Sequence, residues 1–138
     1  MGIVKSAGLA IVYGDEILLV HPTNAPWVGT FSIPKGEIED FETAFQAAIR
    51  ETKEEIGLDI TTDMVESPGD IIYYKRASSN KTYKKVFYFI VRLNKKPELK
   101  KENLQLDEVD WVGFIHKDDA KEKIFWRFLP ILEKVFKT

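Results

Sequence analysis

Apolar positions along the 138-residue chain follow two different periods. From Ser6 to Tyr13 a continuous apolar, β-capable run is cut by Gly14-Asp15 and resumes from Ile17 to Val20, which predicts a hairpin with turn chemistry between its strands. His21 to Gly29, with Pro22, Asn24, Pro26 and Gly29, reads as a loop, and Thr30 to Ile33 as a short extended piece stopped by Pro34, after which a loop leads into a helix. There the period changes. Phe45, Ile49, Thr52 and Ile56, at i, i+4, i+7 and i+11 with Ala48 at the margin, predict a helix from about Phe41 to Ile56, N-capped by Asp40 and closed by Gly57, with an apolar stripe for a sheet and a charged outer side. Three further strands are expected at about Asp70 to Tyr74, Tyr83 to Leu93 and Val109 to Ile115. From Lys117 to Phe136 the spacing of Ala120, Ile124, Phe128, Ile131, Leu132 and Val135 predicts a terminal helix kinked or broken at Pro130. No repeat or linker is visible. Strands on both sides of a capped helix, with a helix at the end, predict an α/β fold whose mixed β-sheet is covered on both faces.

Composition narrows what such a fold does. The length suits one domain. Twenty basic against 22 acidic residues give a net charge of −2, too weak a field to hold a nucleic-acid backbone along the whole molecule, so no obligatory nucleic acid is expected. No cysteine is present, which excludes disulfides, thiolate metal sites and a cysteine nucleophile. The N-terminus lacks the order of a signal peptide and no apolar run approaches the length of a spanning helix, so a cytoplasmic protein without membrane contact is expected.

The central helix carries the candidate chemistry. Glu51, Glu54 and Glu55 stand at i, i+3 and i+4, on one face within about a turn. Three adjacent carboxylates repel one another unless a cation neutralises them, and hard oxygen ligands suit Mg2+, with Mn2+ as a substitute. Arg50, at i, i+4 from Glu54, can orient that carboxylate. Ala44 and Ala47 precede Glu51 on its face, and their small side chains would let the preceding loop approach. Gly36 is then the expected point of contact, with its carbonyl free to turn toward a metal. Taken alone, glutamates on a helix are more often a solvated face.

A longer spacing changes the balance. Gly36 to Leu58 reads GEIEDFETAFQAAIRETKEEIGL and resembles the Nudix box, G-x5-E-x7-R-E-U-x-E-E-x-G-U, where U is a bulky aliphatic residue. Gly36, Glu42, Arg50, Glu51, Glu54, Glu55, Gly57 and Leu58 match; seven fixed positions coincide by chance on the order of once in 10⁸ to 10⁹ start points. Thr52 departs, standing where an aliphatic residue is preferred. The N-terminal hairpin, Ser32 to Glu37, a later Trp-containing strand and the terminal helix extend the resemblance over almost the whole chain.

The resemblance implies an α/β/α sandwich that hydrolyses a nucleoside diphosphate linked to another moiety, such as a dinucleoside polyphosphate or a nucleoside triphosphate, by attack of metal-activated water. Glu51, Glu54 and Glu55, with the Gly36 carbonyl, would be the metal ligands, and Arg50 would orient the glutamates. Glu42 is read as lying in the first helical turn, on the far side from Glu51, where it would stabilise the loop-helix junction. The general base varies within the family: Glu51 or Glu54 comes first, with Glu102 and Glu108 as candidate bases or extra ligands. Lys35 is a candidate phosphate contact. Tyr74, Arg76, Lys81, Tyr83, Lys84 and Lys85 share one predicted hairpin and could grip a polyphosphate or stack a base; the plainer reading, preferred on sequence alone, is a charged edge. Trp27, Phe31 and Trp111 are given no role. An RNA 5′-end pyrophosphohydrolase and a Nudix-fold binding module without turnover are the alternatives, and a homodimer through a strand edge is possible on this reading.

Overall fold

The computed structural model describes residues 2–137. Seven strands, β1 (Val4–Tyr13), β2 (Glu16–Pro22), β3 (Lys35–Glu37), β4 (Val65–Pro68), β5 (Ile72–Lys75), β6 (Thr82–Arg92) and β7 (Val109–His116), form one mixed sheet. Its main order is β4-β6-β1-β2-β7, with β3 also on β1 and β5 also on β6. The β1–β6 pair is parallel and runs from Val4 opposite Lys84 to Val12 opposite Arg92, while the other strand pairs are antiparallel. Helix α1 (Ala44–Ile56) covers one face, packing Ala47, Ala48 and Ile56 with Leu9, Ile11, Leu18 and Val20. Helices α2 (Lys117–Lys123) and α3 (Leu129–Phe136) cover the other, where Ala120, Ile131, Leu132 and Val135 meet Ala10, Val12, Ile17 and Leu19. The alternation of strand side chains separates these two cores: even-numbered Ala10 and Val12 face α3, odd-numbered Leu9 and Ile11 face α1. The sandwich with a mixed sheet is therefore present.

Several boundaries move. Helix α1 starts at Ala44, not Phe41, and its cap is Thr43, not Asp40. The Gln46 amide donates to Thr43 Oγ1 at 3.1 Å while the Thr43 amide donates to Gln46 Oε1 at 3.0 Å, a reciprocal box that Asp40 cannot offer from outside the turn. Phe41 instead has φ of 65° and is fully exposed, so Glu42 lies ahead of the helix rather than in its first turn. The buried positions of α1 are Ala47, Ala48, Thr52, Glu55 and Ile56, whereas Phe45 and Ile49 are only half-buried, so the core stripe keeps Ala48, Thr52 and Ile56 and turns toward Ala47 and Glu55. Thr52 fits the core because its hydroxyl donates to the Ala48 carbonyl at 2.9 Å.

The expected extended piece at Thr30 to Ile33 makes only isolated bridges, at Phe31 and Ser32, and the strand forms after Pro34, at Lys35–Glu37, where a loop was expected. Proline lacks only its own N–H, and its carbonyl accepts from Leu9 N at 3.2 Å. His21 belongs to β2 rather than to the loop: its buried ring lies 2.6 Å from Asp110 through Nδ1 and 3.1 Å from the Pro26 carbonyl through Nε2, and both partners offset its burial. β4 has no counterpart in the sequence reading. At the end, the chain breaks at Ile124 and Phe125, before Pro130; the proline sits in the first turn of α3, where its missing N–H is harmless.

Candidate active site

The site forms where β3, α1 and the chain before β7 meet. β3 hydrogen-bonds to β1 with Gly36 opposite Ala7, and this places Gly36 against the start of the carboxylate cluster. A Cβ on Gly36 would overlap the Glu51 carboxylate as it stands, so a larger residue here would have to displace that side chain. Buried Ala47, one turn before Glu51, keeps that side of the helix small. At the other end Gly57 ends the helix with φ of 71° and its N–H on the Lys53 carbonyl, the left-handed conformation that a terminal glycine adopts freely.

Arg50 ties the acidic groups together. Its Nε and Nη2 donate to the two oxygens of Glu42 at 2.7 and 3.0 Å, and its Nη1 donates to Glu51 at 2.9 Å and to Glu54 at 3.0 Å. Nη2 also reaches the Glu37 carbonyl at 3.1 Å. The hydrogen bond from Arg50 holds Glu42 below the usual carboxylate range, and the same bond from Glu42 raises the guanidinium still further. Glu42 thus buttresses Arg50 from the loop instead of standing on the far side of the helix. The Glu39 amide, which donates to Glu42 at 3.0 Å, fixes it in place.

Glu55 is in a different position. It is 6% exposed, and burial pushes its carboxyl up to about 8, with the nearby Glu51 charge adding to the rise and Lys35 opposing it. Burial also raises Glu51, against the pull of Arg50. Lys35 is lowered, first by desolvation and then by the ammonium of Lys84. These groups line one open cavity of about 560 Å³ together with Ser6, Gly36, Glu37, Glu39, Arg50, Glu54, Gln105 and Glu108.

The structure therefore gathers Gly36, Arg50, Glu51, Glu54, Glu55, Lys35, Lys84 and Glu108 in one place. It leaves Glu102 exposed on a turn that does not line the cavity, and Tyr74 and Arg76 outside the lining as well. Ser6 and Gln105 were missed by sequence reasoning, since nothing local in either marks a site. Ser6 is brought in by the β1–β3 register opposite Glu37, and Gln105 by its amide, which donates to the Glu55 carbonyl at 2.8 Å.

The fit of this cavity to a divalent cation can be judged from its own groups. Among the described residues no three acidic, imidazole or thiol side chains converge closely enough to hold an ion as they stand. Glu51 and Glu54 turn their oxygens to Arg50, and Glu55 faces Lys35. The donor set nevertheless suits a hard cation: Glu55 is buried beside Glu54 and one turn after Glu51, and a single arginine leaves part of their combined negative charge for such an ion to balance.

The family model for the NUDIX domain matches residues 4–132. The chain is 34% identical over 105 residues to the mRNA-decapping enzyme subunit 2 of Saccharomyces cerevisiae, covering 72% of this chain and 10% of that protein. It spans about a third or less of the curated relatives it matches. Among solved structures it is similar to a C. elegans Ap4A hydrolase binary complex, with a TM-score of 0.66 and 29% identity over 86% of this chain and 84% of the other. It also shares its fold with a MutT NUDIX hydrolase from Burkholderia pseudomallei, with a TM-score of 0.74 and 21% identity over 98% and 99% of the two chains.

Proposed function

Because the chain belongs to the NUDIX domain family, we propose that it is a pyrophosphohydrolase that cleaves a phosphate anhydride in a nucleotide derivative, a nucleoside diphosphate linked to a further group. The observation that carries this reading is the meeting, in one cavity, of a carboxylate cluster organised by Arg50 with the ammonium groups of Lys35 and Lys84. Opposite charges side by side suit a substrate that is itself an anion and is bound with cations. The Ap4A hydrolase and decapping relatives, which cut or bind such compounds by their names, support the same class.

Glu51, Glu54, Glu55 and the Gly36 carbonyl would hold Mg2+ or Mn2+, which when bound supplies positive charge to the phosphoryl oxygens and makes a coordinated water more acidic. Arg50 keeps Glu51 and Glu54 on the cavity side of the helix, and Glu42 keeps Arg50 there. Lys35 and Lys84 neutralise the phosphate oxygens that face away from the carboxylates. Water attacks phosphorus, its proton passes to a carboxylate, and the bridging oxygen leaves with the other half of the anhydride. We assign the proton to Glu108, which lines the cavity without being held by Arg50; Glu51 and Glu54 are then free to act as ligands. No helix of the described residues is long and apolar enough to cross a membrane.

A hydrolysis screen over nucleotide sugars, dinucleoside polyphosphates, triphosphates and 5′-triphosphorylated RNA, with Mg2+ and with Mn2+ and the products separated by ion-exchange chromatography, tests the reading. Glu54→Gln should lower kcat at least a hundredfold on the winning substrate while leaving the circular dichroism spectrum unchanged; a variant of unaltered rate rejects the assignment of the carboxylates. The likeness to a decapping enzyme favours RNA as a second reading, and RNA turnover that falls steeply with salt would select it.

A further inference from the structure

Between Ile71 and Pro97 the sequence has no Asp or Glu, yet it carries Lys75, Arg76, Lys81, Lys84, Lys85, Arg92, Lys95 and Lys96. Lys75, Arg76, Lys81, Lys84 and Lys85 lie where β5 and β6 pair and turn, beside the turn between α2 and α3 that holds Trp126 and Arg127. The side chains make a continuous ridge. Lys84, which lines the carboxylate cavity, has its Nζ 5.2 Å from the centre of the Tyr74 ring. The Arg127 guanidinium lies 4.7 Å from that ring and 4.4 Å from the Trp126 ring. Lys35, on the cavity wall, is 5.8 Å from Phe128, and Arg76 is 5.1 Å from Tyr83. Tyr74 is packed against Tyr83, Phe125 and Phe128, so the platform under these cations is fixed.

Two features separate this ridge from an ordinary charged edge. Arg127 is half-buried, yet among the described residues no carboxylate lies within 4.0 Å of it, whereas the half-buried Arg50 and the more exposed Arg92 are both paired. A guanidinium that lies against aromatic rings and has no carboxylate partner retains N–H donors for a phosphate, which it can grip in two places. Trp126 is 62% exposed, an unusual position for a large aromatic side chain, and it offers a planar surface beside Arg127.

We propose that Lys84, Tyr74, Arg127 and Trp126 form a specificity ridge that selects nucleotides carrying three or more linked phosphates. This rests on the reading of the carboxylate cavity as the hydrolytic centre. A diphosphate reaches Lys35 and Lys84 on the cavity wall and ends there. Only a longer phosphate chain extends out of the cavity to the Arg127 edge, where a terminal phosphate or the second nucleoside of a dinucleoside polyphosphate meets Arg127 and the face of Trp126. A neutral sugar beyond the second phosphate would leave the ridge cations unmatched. The cations are confined to one hairpin and one turn of a chain with net charge −2, which favours a small polyphosphate over a long RNA.

The test compares kcat/KM for a dinucleoside tetraphosphate, a nucleoside triphosphate, ADP-ribose and 5′-triphosphorylated RNA in the full chain with Mg2+. The tetraphosphate should exceed ADP-ribose by at least tenfold. Arg127→Ala should erase most of that ratio by raising KM for the tetraphosphate, and Arg127→Lys should restore only part, because the charge returns without the fork. Preference for ADP-ribose or RNA, an unmoved ratio, or an equal fall in kcat on every substrate overturns the ridge. Calorimetric binding on the Glu54→Gln background keeps the two readings apart. If no substrate is hydrolysed but the tetraphosphate binds tighter than ADP-ribose and Arg127→Ala abolishes the difference, the ridge stands and the hydrolytic reading falls. Equal binding of the two ligands sinks the ridge whatever the cavity does.

Discussion

Glu55 and Arg50 divide the electrostatics of the site between them. Arg50 spreads one positive charge over Glu42, Glu51 and Glu54, while Glu55 sits behind them, buried and without a charge-matched hydrogen-bond donor of its own apart from what Lys35 offers. The consequence is a definite pH dependence. With its carboxyl moved from 4.5 to about 8, Glu55 keeps its proton in the folded protein over a range in which the unfolded chain has released it. Its contribution to stability is therefore complete below about pH 4.5 and is lost as the pH rises toward 8, an effect on the order of a few kcal/mol. Glu55→Gln, which cannot ionise, should flatten this part of the curve and make the metal-free protein more stable than the wild type at pH 8. Urea unfolding in chelator at pH 5 and pH 8 measures it; parallel curves for the two proteins would show that Glu55 does not titrate in this way.

Helix α1 shows how a single element is both built and aimed. Its start depends on the reciprocal bonds of Thr43 and Gln46, its end on Gly57, and its seating on Ala47, Ala48 and Ile56 against β1 and β2. The capping box controls more than stability, because Arg50 and Glu51 lie within the next two turns and Glu42 reaches back to Arg50 from just before the cap. Thr43→Ala removes one side-chain acceptor and should cost about 1 kcal/mol of unfolding free energy. Differential denaturation of the two proteins checks this, and a loss below a few tenths of that value would mean that the loop holds the helix start by itself. The 3.6-residue period made the helix legible and placed Thr52 on its inner stripe, but the true stripe also passes through Glu55, which a hydrophobicity pattern scores as outward-facing. Thr52 hides its hydroxyl on a carbonyl one turn back, and Glu55 is buried by the chain before β7, neither of which local sequence reports.

For the whole molecule the site is a junction of segments far apart in sequence. Ser6, Lys35, Glu51, Lys84 and Glu108 come together because β1 pairs with β3 on one side and runs parallel to β6 on the other, while α1 closes the end. Concentrated acidic charge in a folded cavity is a standing repulsion, so a ligand that neutralises it should stabilise the entire fold. Millimolar Mg2+ at pH 8 should raise the Tm by several degrees, excess chelator should reverse the rise, and Glu54→Gln should reduce it. A Tm indifferent to Mg2+ and Mn2+ at every pH would remove the carboxylate cavity from consideration as a cation site.

The sequence by itself determined the central helix, the run of residues from Gly36 to Leu58, the identities of the site's acids and arginine, and the mixture of strands and helices. The helix and the strands are written in periods of 3.6 and two residues, where chain geometry alone decides which residues share a face, whereas the acids and the arginine were marked by the resemblance of Gly36 to Leu58 to the Nudix box. Only the tertiary structure decided that Glu42 braces Arg50 from outside the helix, that Glu55 is buried, that Glu108 and not Glu102 reaches the cavity, and that Arg127 lies against the Tyr74 ring. Each of these depends on strand register and on which surfaces exclude water, and burial and register are properties of the assembled sheet that no short window of the chain contains.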